Sequence, residues 1–196
     1  MNNQINVPLI LDLHHETIVE WKSQGIQLKH QNFLKFVEEN HAFNYQLWHA
    51  EDKARRDDLG HSFVYAAKRE IDQFNQQRNN RMELIDTYLI EKLTPAPVTD
   101  CPVHSETPGM MIDRLSILAL KIYHMDQQTK RPEVNQAHRE ACHAKHDTLK
   151  AQQKQLAECL STLISEVAER KRTFCVYYQL KMYNDKTLNP ELYAAS

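Results

Sequence analysis

The side chains able to do chemistry crowd into the middle of the chain, between Trp48 and His124. Asn44, Trp48, Glu51 and Arg55 are spaced to share one face of a helix, with His49 and Asp52 beside them. Asp72, Asn75, Asn79, Glu83 and Asp86 form a second polar stripe, about a quarter turn from the apolar stripe Ile71, Phe74, Ile85 and Leu89. The segment Met110 to Met125 is apolar around nearly its whole circumference, which predicts a central helix, yet it carries Asp113, Arg114, Lys121 and His124. A buried ionised group must find a partner or change protonation state. Two chemistries satisfy that demand. One is a self-compensated ion-pair network of purely structural value. The other is a pocket in which Arg55, Arg78, Arg114 and Lys121 hold a small anion and Glu51, Asp113 or His124 moves protons. In the second reading Trp48, His49, Asp72, Asn75, Asn79 and Glu83 complete the ligand contacts.

Histidine and cysteine spacings raise the question of a metal. His138, Cys142 and His146 fall on one helical face, and Cys101 and His104 lie in a proline-rich stretch far upstream. No second knuckle accompanies them, and Arg139 and Lys145 load the same helix with positive charge. Glu38-x-x-His41 and Glu140-x-x-His143 match half of a di-iron bundle motif, but in a chain with 11 histidines about one such match is expected by chance, so the two are not evidence of a metal. The reading taken is no metal and no cofactor. Cysteine and serine contexts suggest no nucleophile.

Composition narrows the partners. Lys and Arg number 24 against 26 Asp and Glu, so there is no overall field to recruit nucleic acid. Three glycines leave little material for phosphate-cradling loops, and neither nucleotide-binding glycine motif is present. The first fifteen residues hold no Lys or Arg, and Asp12 interrupts the apolar run Val7 to Leu13. No secretory signal or membrane insertion is expected, and a cytoplasmic setting with reduced cysteines is.

The elements that must position these groups are all helical. Apolar spacing and end signals predict helices at 8–24 and 31–56, a third from Gly60 to Pro95, and a fourth from Thr107–Pro108 to Gln127. Beyond Pro132 there is no Gly or Pro as far as Asp185, which predicts one last helix of roughly 75 Å if unbroken. Pro95, Pro97 and Pro102, with Pro108 at its end, make 94–107 an extended connection. The expected architecture is all-α, an elongated bundle of about five helices with a long C-terminal helix, forming one domain over 1–196. Homodimerisation would cover the overhanging seam of that last helix; a solvated overhang is the other outcome.

The same segments resemble a bacterial family known as domain of unknown function 4254. The resemblance rests on Leu47-Trp48-His49-x-Glu51-Asp52-x-Ala54-Arg55, on Asp72 with Asn75-Gln76-x-Arg78-Asn79, Glu83 and Ile85-Asp86, and on Thr107-Pro108-Gly109 through Asp113-Arg114-Leu115-Ser116-Ile117-Leu118 to Lys121-Ile122-Tyr123-His124-Met125. It spans residues 32–126 and departs from the family pattern at Asn80. The resemblance implies a place among bacterial surface-polysaccharide and lipopolysaccharide gene sets, where ligands are sugar nucleotides or phosphorylated sugars. Such ligands suit an Arg/Lys-lined pocket. Whether the protein is an enzyme stays open, and the competing reading is a non-enzymatic adaptor or oligomerising protein with a structural polar core.

Overall fold

A computed structural model describes residues 5–180, 182 and 185–194. Five long helices account for most of them: α1 (Val7–Gln24), α2 (Asn32–Lys53), α3 (His61–Leu93), α4 (Pro108–Thr129) and α5 (Gln136–Ala168), with a one-turn α6 (Pro190–Tyr193) near the end. The all-α expectation holds. A single 3-10 turn, Asp57–Leu59, joins α2 to α3.

Local chemistry sets the boundaries. The Asn6 side chain accepts the Leu9 N–H at the head of α1, and Gly25 ends that helix at φ 75. Thr107 accepts the Met110 N–H and Pro108 occupies the first turn of α4, as the sequence predicts. Thr94 stops α3 in the left-handed region at φ 45, just before Pro95.

The last helix is the main correction. It ends at Ala168 and not near Asp185. Arg170 takes φ 59, its N–H reaches the Val167 carbonyl and the Lys171 N–H reaches the Glu166 carbonyl. That paired bonding closes a helix without glycine. The chain then turns back so that Thr173 exchanges hydrogen bonds with the proline-rich connection, donating to Pro102 and accepting from His104. Thr173 and Phe174 are buried there. Burial of Phe174 against the core, worth about 2 kcal/mol, opposes continuation of a solvated helix.

α4 packs against all four other long helices, which makes it the centre of the bundle. Met111, Ile112, Leu115, Ala119 and Leu120 are its buried face. Leu160, Leu163 and Val167 of α5, Ile85 and Leu89 of α3, and Ile10 and Leu13 of α1 close the core around them. At its N-terminus α4 is clamped to α3. Buried Asp86 accepts the Thr107 hydroxyl at 2.5 Å and the Gly109 N–H at 2.6 Å. A Cβ at Gly109 would lie 2.5 Å from the Met82 carbonyl oxygen, so only glycine permits this approach. Gly109→Ala is therefore expected to destabilise by about 1–3 kcal/mol despite alanine's better helix propensity, measurable as a lower urea midpoint.

Candidate functional site

Beneath the surface, α2 and α4 meet through a layer of polar side chains that the bundle encloses. Asn40, His41 and Asn44 point from α2 onto Asp113 and Ser116 of α4. Both amides donate to the same Asp113 oxygen, Oδ1, at 3.0 and 2.8 Å, and Asn44 also reaches Ser116 Oγ at 2.9 Å. Arg78 enters from α3 with its Nε 3.8 Å from that oxygen. On the far side His41 Nδ1 meets Ser116 Oγ at 2.7 Å, while its ring lies 4.6 Å from His14 and 5.3 Å from Trp21. Burial drives the His41 pKa down to about 3 and pushes His14 down as well. Both imidazoles are neutral at physiological pH.

Above this layer lie two adjoining clefts. The larger, about 640 Å³, opens between α2, α4 and α5 and is lined by Trp48, Asp52, Lys121, His124, Lys145 and Gln152 among others. The smaller, about 330 Å³, opens between α2, α3 and α4 over Asn44, Trp48, Glu51, Asp52, Arg55 and Arg78. Trp48 and Asp52 line both. The indole stacks flat on the His124 ring, centroids 4.3 Å apart and planes 5° off parallel. Burial, with His49 nearby, lowers the His124 pKa, and its Nε2 is enclosed without a protein partner. A third cleft of about 700 Å³, between α4 and α5, holds Arg114 with Glu106 and shares Lys121 with the first.

The predicted cations separate by whether a carboxylate holds them. Arg55 bonds Glu51 at 2.6 Å, Arg114 bonds both oxygens of Glu106, and Arg78 faces Asp113. Among the described residues Lys121 makes no ion pair, and neither does Lys145, which stands in the same cleft from α5. The expectation that the charges of α4 turn inward together is corrected: Asp113 is buried, whereas Arg114 and Lys121 are exposed. They occupy the helix's outer edge, where the gaps between α4 and α5 begin. Asp113 and His124 sit on the α2 side at different levels, eleven residues apart, and share no cleft.

Several predicted ligand residues are placed elsewhere. Asp72 is exposed and pairs with Arg69 on its own helix. Glu83 accepts the Gln179 N–H at 2.7 Å, tying down the segment after α5. His49 is exposed against the edge of Tyr45, and Asn75 and Asn79 line none of the three clefts. Of α3, Arg78 alone lines any of these three clefts. Glu38 is buried and accepts the Lys29 and His30 N–H groups, holding the α1–α2 loop instead of a metal. His138 Nε2 contacts Cys142 Sγ at 3.4 Å, but no three His, Cys, Asp or Glu side chains among the described residues converge as metal ligands. The four cysteines are unpaired.

A family model described as protein of unknown function (DUF4254) matches residues 34–176. The chain belongs to that family. No curated protein and no solved structure matches it. The DUF4254 match runs through α5 to the strand-like return at Thr173, so the resemblance read over 32–126 stopped one helix short. That helix supplies Lys145, Thr148 and Gln152 to the larger cleft. Lys145 lies one turn before Leu149, the first residue of the apolar seam on α5, and extending that seam backwards would have located it. No helix among the described DUF4254 residues is long and apolar enough to cross a membrane.

Proposed function

We propose that this DUF4254 chain binds a small phosphorylated ligand, a phosphorylated sugar or sugar nucleotide, in the cleft between α2, α4 and α5. The observation that carries the reading is the pair Lys121 and Lys145: two lysines converge on one concave site with a single carboxylate, Asp52, in its lining. Elsewhere around α4 each arginine has its carboxylate. Unneutralised cations beside an indole supply what a phosphate ester needs, charge for the anion and a flat apolar face for the rest. The neutral His124, stacked on Trp48 in the same wall, is the proton-transfer candidate if the bound molecule reacts. Asp113 is reassigned from proton transfer to positioning, since the amides of Asn40 and Asn44 cover the oxygen that faces Arg78. The setting proposed is the cytoplasm, in bacterial surface-polysaccharide biosynthesis.

The test is a thermal-shift and calorimetric titration with pyrophosphate, glucose 1-phosphate and a uridine diphosphate sugar. At least one should raise Tm and bind with measurable affinity. Lys121→Ala with Lys145→Ala should weaken that binding by about 100-fold or more, each lost charge-assisted hydrogen bond being worth about 1.5–3 kcal/mol. Both lysines are exposed and unpaired, so the variant keeps its fold. A ligand affinity that survives the double change removes the reading.

The adaptor reading has its own support. Tyr178, Leu180 and Met182 are exposed beyond α5, an apolar run with nothing packed on it among the described residues.

A further inference from the structure

We infer that the ligand is a sugar phosphate bound across the shared wall of Trp48 and Asp52, its ring in the smaller cleft and its phosphate on Lys121 and Lys145; this rests on the phosphate-binding reading above.

The two clefts differ in charge where they differ in residues. The larger holds Lys121 and Lys145 against Asp52, while the smaller sets Arg55 and Arg78 against Glu51 and Asp52. A balanced cleft offers little to a free anion, which gains more from the lysines next door. What a balanced cleft offers is a dense set of donors and acceptors. Carboxylate oxygens accept from hydroxyls, guanidinium N–H groups donate to them, and an indole covers a ring's C–H face. A polyhydroxyl ring uses all three.

The smaller cleft is also held ready. Arg78 is three-quarters buried, with its Nε 3.8 Å from an Asp113 oxygen that two asparagine amides fix in place. Its guanidinium thus faces a fixed counter-charge at one end, and its nitrogens have no hydrogen-bond partner among the described residues. Glu51 and Arg55 brace one another across one helical turn on the opposite rim. About 330 Å³ leaves room for one sugar ring and little more. Because Trp48 and Asp52 line both spaces, a molecule seated over them reaches the lysines with the group attached to that ring.

Calorimetry on the full chain separates this from simple phosphate binding. The probes are inorganic phosphate, the 1-phosphates of glucose, galactose and mannose, and uridine monophosphate. One hexose 1-phosphate is expected to bind about tenfold or more tightly than inorganic phosphate, the worth of one hydrogen bond to a charged group. Glu51→Gln with Arg55→Gln, which removes an exposed pair together and orphans neither, should erase that advantage and leave phosphate affinity unchanged. Lys121→Ala with Lys145→Ala should weaken both. If phosphate binds through the lysines and the hexose adds nothing, the sugar inference falls and the phosphate reading stands. Tighter binding of uridine monophosphate than of every hexose phosphate, sensitive to the Glu51 and Arg55 changes, assigns the cleft to a nucleoside and also overturns it. If no probe binds, both fall.

Discussion

Lowering the pH from 7 to 5 is expected to destabilise the protein through His14 and His41. Both rings are fully buried, His14 has neither nitrogen bonded, and His41 Nε2 is likewise unpartnered. Their folded pKa values are depressed, to about 3 for His41, so the native state stays neutral where the unfolded chain takes up protons near 6.5. Stability from these groups is therefore intact above pH 6.5 and is lost as pH falls towards the folded values. Between pH 7 and 5 His41 contributes a loss of about 2 kcal/mol, and His14 adds to it in the same direction. Asp86 acts in the opposite sense. Burial raises its pKa to about 6 in spite of its hydrogen bonds from Thr107 and Gly109, so the native state binds its proton first and gains about 1 kcal/mol over the same interval. The histidines win, and the net effect is a loss of stability. Urea midpoints measured across this range should fall steadily, and His41→Gln should make that fall shallower. A stability flat between pH 7 and 5 would show that these rings are protonated or solvated in the native state.

Asp113→Ala is the second large effect. It leaves the Asn40 amide without an acceptor, takes one of Asn44's, and removes the counter-charge of Arg78 beside a buried hole. Breaking a buried charge pair from one side costs about 3–5 kcal/mol. Asp113→Asn separates the two roles of the carboxylate. The contacts converge on Oδ1, so an amide oxygen there keeps both asparagine bonds and loses only the charge facing Arg78. A cost of about 1–2 kcal/mol is expected for it, read from the same unfolding curves. Equal costs for the two substitutions would mean that charge, not hydrogen bonding, holds the layer together.

The helices and their packing faces were legible because helix formation is largely a local matter. Caps such as Thr107–Pro108 and stops such as Gly25 act within a few residues, and apolar recurrence on α1, α3 and α4 marks the side turned to the core. The exception proves instructive at α5. Nothing between Pro132 and Asp185 signals a stop, yet the helix ends where Thr173 finds partners in the proline-rich connection some seventy residues earlier and Phe174 packs into the core. A long-range contact ended it, and no local pattern records such a contact.

The candidate site divides along the same line. Residue types and spacings on α2 and α4 were enough to bring Trp48, Glu51, Arg55, Lys121 and His124 into consideration, since position along a helix fixes which residues share a face. Which of the cations remain unpaired was decided only by packing. Arg114 meets Glu106 from the connection, Arg78 meets Asp113 across two helices, and Lys145 joins Lys121 from a helix that follows it in the chain. Helical periodicity is written in neighbouring residues; charge pairing depends on distances between elements, and these exist only once the bundle has closed.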